Sequence, residues 1–243
     1  MESIQAPITV MQRVEWKYIL NAEQTEYFCE RLKGHMEPDA YGLTTIQSLY
    51  YDTPDKRIVR ASIEKPEFKE KIRLRAYGPA TNESPVYLEL KRKAFGIVYK
   101  RRVQATVPEV KRFFAGEPVL DREGQIDREI NYFRDFYQSL VPSCMILYGR
   151  TAYYEPGGDL RLTIDRCPRY RIDALRFDAA PTGIPLLNPG DTILEIKVQD
   201  TIPLWLVRIL SDGKIRRGSI SKYGEAYRRE WNNAVNRKEK RCV

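Results

Sequence analysis

Apolar and polar positions alternate along many short stretches of this chain, a pattern typical of β-strands whose two faces meet different surroundings. The stretch KIRLRAYG at 71–78 shows it clearly, because Ile72 and Leu74 separate the cations Lys71, Arg73 and Arg75. Similar stretches bounded by turn-forming residues predict strands at 13–20, 44–53, 69–78, 86–93, 97–107, 143–155, 159–166 and 191–200.

Apolar residues recur every three or four positions in other stretches, which predicts helices. These are expected at 21–34, 108–116, 127–140, 201–213 and from Ser219 or Ser221 onwards. Asn21 is suited to cap the first helix, and Gly34 and Gly213 stand where two helices should end. Many strands, a few helices and no long linker predict one domain over 1–243, an antiparallel barrel or sheet with helices outside, with a core at about 13–230 and a charged tail at 236–243.

Charged residues occupy positions i and i+2 on six predicted strands, so they share one strand face. The pattern comprises Glu15 and Lys17, Arg73 and Arg75, Glu89 and Lys91, Lys100 and Arg102, Arg161 with Thr163 and Asp165, and Glu195 and Lys197. A sheet surface in water produces the same alternation on any one strand. Six strands limited almost entirely to acidic and basic residues instead favour a charged interior behind helices that cover the apolar faces.

The composition narrows the class of partner. The 243 residues include 41 Lys and Arg against 33 Asp and Glu, a net charge of +8 that indicates nucleic acid, anionic lipid or a phosphate-rich ligand. No apolar run is long enough for a signal peptide or a membrane span, and four scattered cysteines without a CxxC motif favour a cytoplasmic protein with reduced thiols. His35, the only histidine, is expected at the surface, which argues against chemistry that needs histidines.

The residues expected to face inward carry six more positive than negative charges. They are Lys17, Arg73, Arg75, Lys91, Lys100, Arg102, Arg150, Arg161, Lys197 and Lys222, with the carboxylates Glu15, Glu89, Asp165 and Glu195. Each unpaired buried ion costs several kcal/mol, so this interior requires water and a polyanion. Guanidinium and ammonium groups bind phosphate oxygens, while carboxylates bind Mg²⁺ or Mn²⁺, so the predicted ligand is a chain of phosphates.

Nine short motifs occur in one order along the chain: EWKY at 15–18, YYDT at 50–53, IRLRAYG at 72–78, LELK at 88–91, YKRR at 99–102, YGRTAY at 148–153, RLTID at 161–165, LEIK at 194–197 and SKYG at 221–224. Together they resemble the VTC domain, the polyphosphate-polymerase branch of the triphosphate tunnel metalloenzymes. The resemblance covers about residues 13–228, almost the whole chain.

The resemblance implies an α+β fold with a closed antiparallel β-barrel that forms a tunnel and has helices packed outside. It implies transfer of the terminal phosphoryl group of ATP to a polyphosphate chain, release of ADP, and a divalent metal, Mn²⁺ or Mg²⁺. The cations expected at the reacting phosphates are Lys17, Arg73, Arg75, Lys91, Arg150, Arg161 and Lys222. Further phosphate or nucleotide contacts are expected at Lys100, Arg102, Tyr148, Lys197 and Ser221. Glu195 matches the metal ligand, Glu15 and Glu89 are further carboxylates, and Lys71 is expected at the tunnel mouth.

Three other functions stay open. A triphosphate hydrolase would need Glu15 or Glu89 as its base, whereas an acceptor phosphate is already ionised and needs none, which favours the polymerase. A non-catalytic polyphosphate binder has the same charges. Nucleic-acid binding fits the net charge and the 16 tyrosines, but no aromatic RNA-binding motif accompanies them. Fungal relatives carry a regulatory domain and membrane helices that this chain lacks, so translocation of a product would need a separate membrane partner.

Overall fold

The computed structural model describes residues 14–64, 66–95, 97–117, 124–199 and 201–239. Parts of four predictions lie outside these residues: the ends of two strands at 13 and 200, Cys242, and residues 240–243 of the tail. The strands are β1 Val14–Leu20, β2 Glu37–Pro38, β3 Thr44–Asp52, β4 Phe68–Tyr77, β5 Val86–Ala94, β6 Ile97–Ala105, β7 Val141–Tyr154, β8 Arg161–Arg171, β9 Ile184–Pro185, β10 Thr192–Val198 and β11 Arg217–Gly218. The helices are α1 Ala22–Leu32, α2 Arg57–Glu64, α3 Val107–Phe114, α4 Gln125–Tyr137, α5 Leu204–Asp212 and α6 Lys222–Glu239.

The predicted helix starts and stops are confirmed where a cap specifies them. Asn21 and Gln24 form a reciprocal capping box at the start of α1, and Gly213 follows the end of α5. Helix α2 has no predicted counterpart, and it begins where the carboxylate of Asp52 accepts hydrogen bonds from the amides of Ile58 and Val59. Helix α6 continues to Glu239, so it includes the first residues of the predicted charged tail.

The strands form one antiparallel sheet in the order β11-β1-β10-β8-β7-β3-β4-β5-β6, with β2 on β7 and β9 on β8. Within the described ranges no backbone pairing joins β6 to β1 or β11, so the prediction of a closed barrel is wrong. Closure needs two edge strands with free backbone groups in register. The outer edge of β1 is already occupied by β11, opposite Lys17 and Tyr18.

The open sheet is strongly curved, with its charged face on the concave side. Strands β1 and β5 are six steps apart, which in a flat sheet would be about 29 Å. Burial raises the pKa of Glu15 on β1, yet the positive charges of Lys91 on β5 and of Lys17 outweigh it and lower the pKa. Screening suppresses such an interaction between exposed charges much beyond about 10 Å, so β1 and β5 face each other across the concave side.

Two apolar clusters cover the convex face. Ile72, Leu74 and Leu90 pack under α3 and α4, and Leu194 and Ile196 pack under α1 and α5. Each fully buried aliphatic side chain contributes about 1.5–3 kcal/mol. The prediction of outer helices is therefore confirmed for these four helices and explains why the alternate charged residues point the other way.

A third apolar cluster lies on the concave side and was not predicted. Tyr50 on β3 and Tyr148 on β7 pack there with Val59 of α2 and with Tyr223 and Ala226 of α6. Helix α6 therefore begins inside the concavity, which brings Lys222 to the charged face.

Candidate active site on the concave face

The first wall of the concave face consists of β4, β5 and β6 and is organised around the carboxylate of Glu89. In register, Glu89 lies between Arg73 and Arg102. Nε and Nη2 of Arg73 donate to Oε2 of Glu89 at 2.9 and 2.7 Å, and Nζ of Lys100 lies 2.9 Å from Oε1. Nε of Arg75 and Nε of Arg102 lie 3.8 and 3.6 Å from the same carboxylate. One carboxylate, only 2% exposed, thus holds four cations in place.

Electrostatics in this wall favour the charged form of Glu89, whereas burial lowers the pKa of Lys71, Lys91 and Lys100. Burial raises the pKa of Glu89, but the charges of Arg73 and Arg75 outweigh it and lower the pKa to about 2. Lys71 lies directly opposite Lys91 in the β4–β5 register. Burial is the largest cause that lowers the pKa of Lys71 to about 8, and Lys91 adds to it. Lys71 was expected at a tunnel mouth, but its charge interacts with Lys91 and with Lys17 of the other wall.

The second wall consists of β7, β8, β10, β1 and the start of α6. Arg150 donates two hydrogen bonds to Asp165, from Nε to Oδ1 at 2.6 Å and from Nη2 to Oδ2 at 2.8 Å. Nζ of Lys222 lies 2.5 Å from Oδ2 of the same carboxylate. Glu195 lies 3.5–3.6 Å from four cations: Lys17, Arg150, Lys197 and Lys222. This wall therefore holds its carboxylates in a shared network of cations.

Burial opposes the charges of Glu195 and Lys222 in the second wall, and neighbouring charges overcome it. Burial raises the pKa of Glu195, but Lys222 and Lys17 hold it well below its usual range. Burial lowers the pKa of Lys222, but Asp165 and Glu195 raise it overall. Glu195 and Lys222 are therefore both ionised at neutral pH.

Tyr148 joins the two walls. Its hydroxyl accepts a hydrogen bond from Nη2 of Arg75 at 3.5 Å, while Nζ of Lys222 lies 4.6 Å from the centre of its ring. The guanidinium of Arg150 lies 5.2 Å from the same ring. A predicted phosphate contact thus lies among cations from both walls.

Tyr50 is a site residue that the sequence reasoning missed. Nη1 of Arg73 donates to its hydroxyl at 2.9 Å, and its ring stacks on Tyr223 with centroids 4.4 Å apart. Burial raises the pKa of Tyr50, but Arg73 and Lys71 lower it to about 8. The available signal was its position on β3, directly opposite Arg73 in register.

Three other predicted residues lie nearer the border of this network. Arg161 is exposed at the first position of β8, and its Nη1 donates to the carbonyls of Gly158 and Leu160 rather than to a site carboxylate. Lys197 lies opposite Arg161 and Glu15 on neighbouring strands. Ser221 caps α6, because its Oγ accepts a hydrogen bond from the amide of Gly224 at 3.2 Å. Their roles at phosphate stay predictions.

A family model named VTC domain matches residues 12–230, which is most of the chain. The chain belongs to the VTC domain family. None of the curated protein sequences matches it. Among solved structures, a candidate adenylate cyclase from Bacillus halodurans is 14% identical with a TM-score of 0.55, covering 86% of this chain and 93% of that one. A candidate adenylyl cyclase from Hippeastrum, described as having a dominant triphosphatase activity, is 14% identical with a TM-score of 0.45, covering 87% and 93%.

The Bacillus structure shows that this VTC domain shares the fold of that protein, and at this identity it shows the fold alone. Among the described helices of the VTC domain, none is both long and apolar enough to cross a bilayer.

The carboxylates of this VTC domain differ in how well they fit a divalent metal. The described residues contain no cluster of three acidic, histidine or cysteine ligands. Glu15 and Glu195 flank Nζ of Lys17 at 3.2 and 3.5 Å, so an ammonium lies between two carboxylates. On β8, the buried Oγ1 of Thr163 has no hydrogen-bond partner and lies on the strand position opposite Glu195. Mg²⁺ is usually held by one or two carboxylates together with substrate phosphates, so Glu15 and Glu195 fit it. Glu89 fits less well, because Arg73 donates hydrogen bonds to it at 2.7 and 2.9 Å, whereas the cations around Glu195 lie 3.5–3.6 Å away.

Proposed function

We propose that this protein is a metal-dependent polyphosphate polymerase that transfers the γ-phosphoryl group of ATP to a polyphosphate chain and releases ADP. The observation that supports it best is the pair of cationic walls that face each other on one concave surface. The interaction of Lys91 with Glu15 and Lys17 across that surface supports a binding mode in which a phosphate chain would contact both walls at once. A groove with cations on both walls suits a linear polyanion better than a single phosphate group.

The walls have different roles in the proposed reaction. Arg73 and Arg75, held in place by Glu89, would bring positive charge and their remaining N–H donors to the oxygens of a phosphate chain, and Arg150 and Lys222 would meet the same chain from the opposite side. Charge develops on the oxygens of the transferring phosphoryl group, where fixed cations stabilise the transition state. The acceptor is a phosphate oxygen that is already ionised, so no side chain has to remove a proton.

Glu195 and Glu15 would hold Mn²⁺ or Mg²⁺ together with phosphate oxygens of the substrate. When bound, the ion neutralises charge on the phosphates. Lys17, now between the two carboxylates, is long enough to turn toward phosphate when the ion takes its position. The proposed partners are thus ATP, polyphosphate and a divalent metal; a cytoplasmic location and a separate membrane partner stay predictions.

Triphosphate hydrolysis is the second candidate, and Tyr50 is the observation that favours it. A phenol whose pKa is about 8 is partly ionised near neutral pH, which allows it to accept a proton from water. Glu89, the base considered from sequence, is less suited because Arg73 and Lys100 already bind both of its oxygens.

The test is to incubate the full chain with ATP and Mn²⁺ and to follow products by ³¹P NMR. A growing signal from internal phosphates, together with ADP, is expected. Release of free phosphate alone would replace the polymerase with the hydrolase, and Tyr50→Phe would then reduce the rate. Tight binding of polyphosphate without turnover would leave a binding protein. A matched control is Lys33→Gln just after the end of α1, since the side chain of Lys33 is 72% exposed and pairs only with Glu30 among the described residues.

A further inference from the structure

A cluster of two tyrosines and an arginine lies where β4 ends and β5 begins. The guanidinium carbon of Arg102 lies 3.6 Å from the ring centre of Tyr87 and 5.5 Å from that of Tyr77. Nη2 of Arg102 donates to the hydroxyl of Tyr77 at 3.0 Å. The two tyrosine rings meet edge to face with centroids 5.7 Å apart. The guanidinium plane is therefore fixed by two aromatic side chains.

This cluster is continuous with the first wall of the concave face. Tyr77 follows Arg75 by two residues on β4, and Tyr87 precedes Glu89 by two on β5, so both rings lie on the charged face. Nε of Arg102 lies 3.6 Å from the carboxylate of Glu89. Burial raises the pKa of Tyr77, but the charges of Arg75 and Arg102 lower it overall, which places its phenol beside both groups.

The cluster is accessible to a ligand. Tyr77 is 46% exposed and the side chain of Arg102 is 37% exposed. Aromatic rings add nothing to the binding of phosphate, which accepts hydrogen bonds and attracts cations. They do provide planes on which a nucleobase stacks, and a guanidinium plane serves the same purpose.

We propose that Tyr77, Tyr87 and Arg102 form a stacking site for the base of a nucleoside triphosphate whose phosphates lie on Arg75 and Arg73. This inference rests on the proposed function, because it assigns the orientation of the donor nucleotide in that reaction. Arg75 and Arg73 are two and four residues from Tyr77 along β4, about 7 and 13 Å at the rise of a strand. The base thus lies at one end of the charged groove and the phosphates extend into it.

Stacking of this kind accepts any base, because every base has a π-face. We therefore expect ATP and GTP to bind with similar affinity. Inorganic tripolyphosphate lacks a base and should not depend on the cluster.

The experiment compares ATP with tripolyphosphate by calorimetry, using the full chain at one salt concentration. Tyr87→Leu and Tyr77→Leu should weaken ATP binding about 5- to 100-fold, the range found when a stacking side chain is removed. Both variants should change tripolyphosphate binding by less than about twofold on the same grounds. Arg102→Lys, which keeps the charge but loses the plane, should also affect ATP more than tripolyphosphate.

Tyr99→Leu is the matched control, because Tyr99 is a partly exposed tyrosine on β6 whose position alternates with Lys100 and so lies on the opposite face. Thermal unfolding of each variant establishes that it is folded before binding is compared. If tripolyphosphate does not bind the unmodified protein, the proposed function itself is wrong. If tripolyphosphate binds but the variants weaken both ligands equally, or neither, the stacking site is wrong while the phosphate groove stands.

Discussion

The two walls of the concave face use the same residue types in different proportions. In the wall of β4–β6, four cations lie within 4 Å of the single carboxylate of Glu89. In the opposite wall, Glu15, Asp165 and Glu195 share a similar number of cations. The first wall therefore keeps a large positive excess that is available to phosphate. The second is closer to neutral and has carboxylates to offer a metal.

The difference shows that a buried carboxylate can have opposite purposes in one site. Glu89 fixes the positions of arginines that would otherwise repel one another. Glu195 is paired with Glu15 across the ammonium of Lys17, and in the proposed reaction the two carboxylates would exchange that ammonium for a divalent ion. Changes at the two glutamates should therefore have different consequences.

The largest expected effect is the loss of stability caused by Glu89→Ala. Removing this carboxylate leaves Arg73, Arg75, Lys100 and Arg102 without their shared partner, which should lower the free energy of unfolding by about 3–5 kcal/mol. Urea unfolding at neutral pH measures it. Because the pKa of Glu89 is lowered from 4.5 to about 2, its contribution is full above about pH 4.5 and declines as the pH falls toward 2. Glu89→Gln should lose that pH dependence, and retention of it would show that another group causes it.

The next effect is on turnover, from Arg73→Ala. If Arg73 stabilises the transferring phosphoryl group as proposed, loss of its guanidinium should reduce kcat by about 10²- to 10³-fold. Arg73→Lys, which keeps the charge but not the fork, should recover only part of the rate. Arg176→Ala is the control, since Arg176 is 72% exposed and pairs with Asp178 outside the site. Equal rates in Arg73→Ala and the control would remove Arg73 from the reaction.

Glu195→Gln and Glu89→Gln should differ in how turnover depends on metal. Glu195→Gln should reduce Mn²⁺-dependent turnover by at least about 100-fold, because a bound metal contributes several kcal/mol to stabilising the transition state. The Mn²⁺ concentration for half-maximal rate should rise in Glu195→Gln and stay unchanged in Glu89→Gln, as measured by metal titration of the rate. The reverse result would assign the metal to the first wall.

The smallest effect concerns pH and Lys71. Since burial lowers the pKa of Lys71 to about 8, its charge is lost as the pH rises through that value, and tripolyphosphate should bind about tenfold more weakly at pH 9 than at pH 7. Lys71→Arg keeps its charge and should remove most of this change when compared in the same buffers. Tyr50→Phe identifies the part due to ionisation of Tyr50, whose pKa is also about 8. A pH dependence identical in all three proteins would place its origin in the ligand or in Lys91 and Lys100, whose pKa values burial also lowers.

The alternation of residues was sufficient to predict which face of each strand carries charge. It placed Arg73, Glu89 and Glu195 correctly on a common face because strand geometry fixes side-chain direction. It could not predict closure, which depends on whether the edge strands meet, and here β11 covers part of β1.

The alternation of residues along a strand also does not determine where the end of a long side chain lies. Arg161 occupies the expected alternate position on its strand. As the first residue of β8, however, its side chain donates to the carbonyls of Gly158 and Leu160 in the preceding turn. Helix α2 was missed because its cap, Asp52, comes from the preceding strand rather than from the residue next to the helix. Tyr50 and Tyr87 were missed since tyrosines in strands more often serve packing than binding.

The first two residues of α6 connect two separate parts of the concave face. Lys222 binds Asp165 in the second wall, while Tyr223 donates to Asp52 at 2.7 Å and stacks on Tyr50. Further along α6, Arg229 donates to the carbonyls of Pro185 and Leu186, and Glu230 accepts a hydrogen bond from Tyr170, so the middle of the helix is also held against the protein. A shift of the whole helix would therefore disturb the Asp165 pair and the cap of α2 together, because adjacent residues of one helix make both contacts.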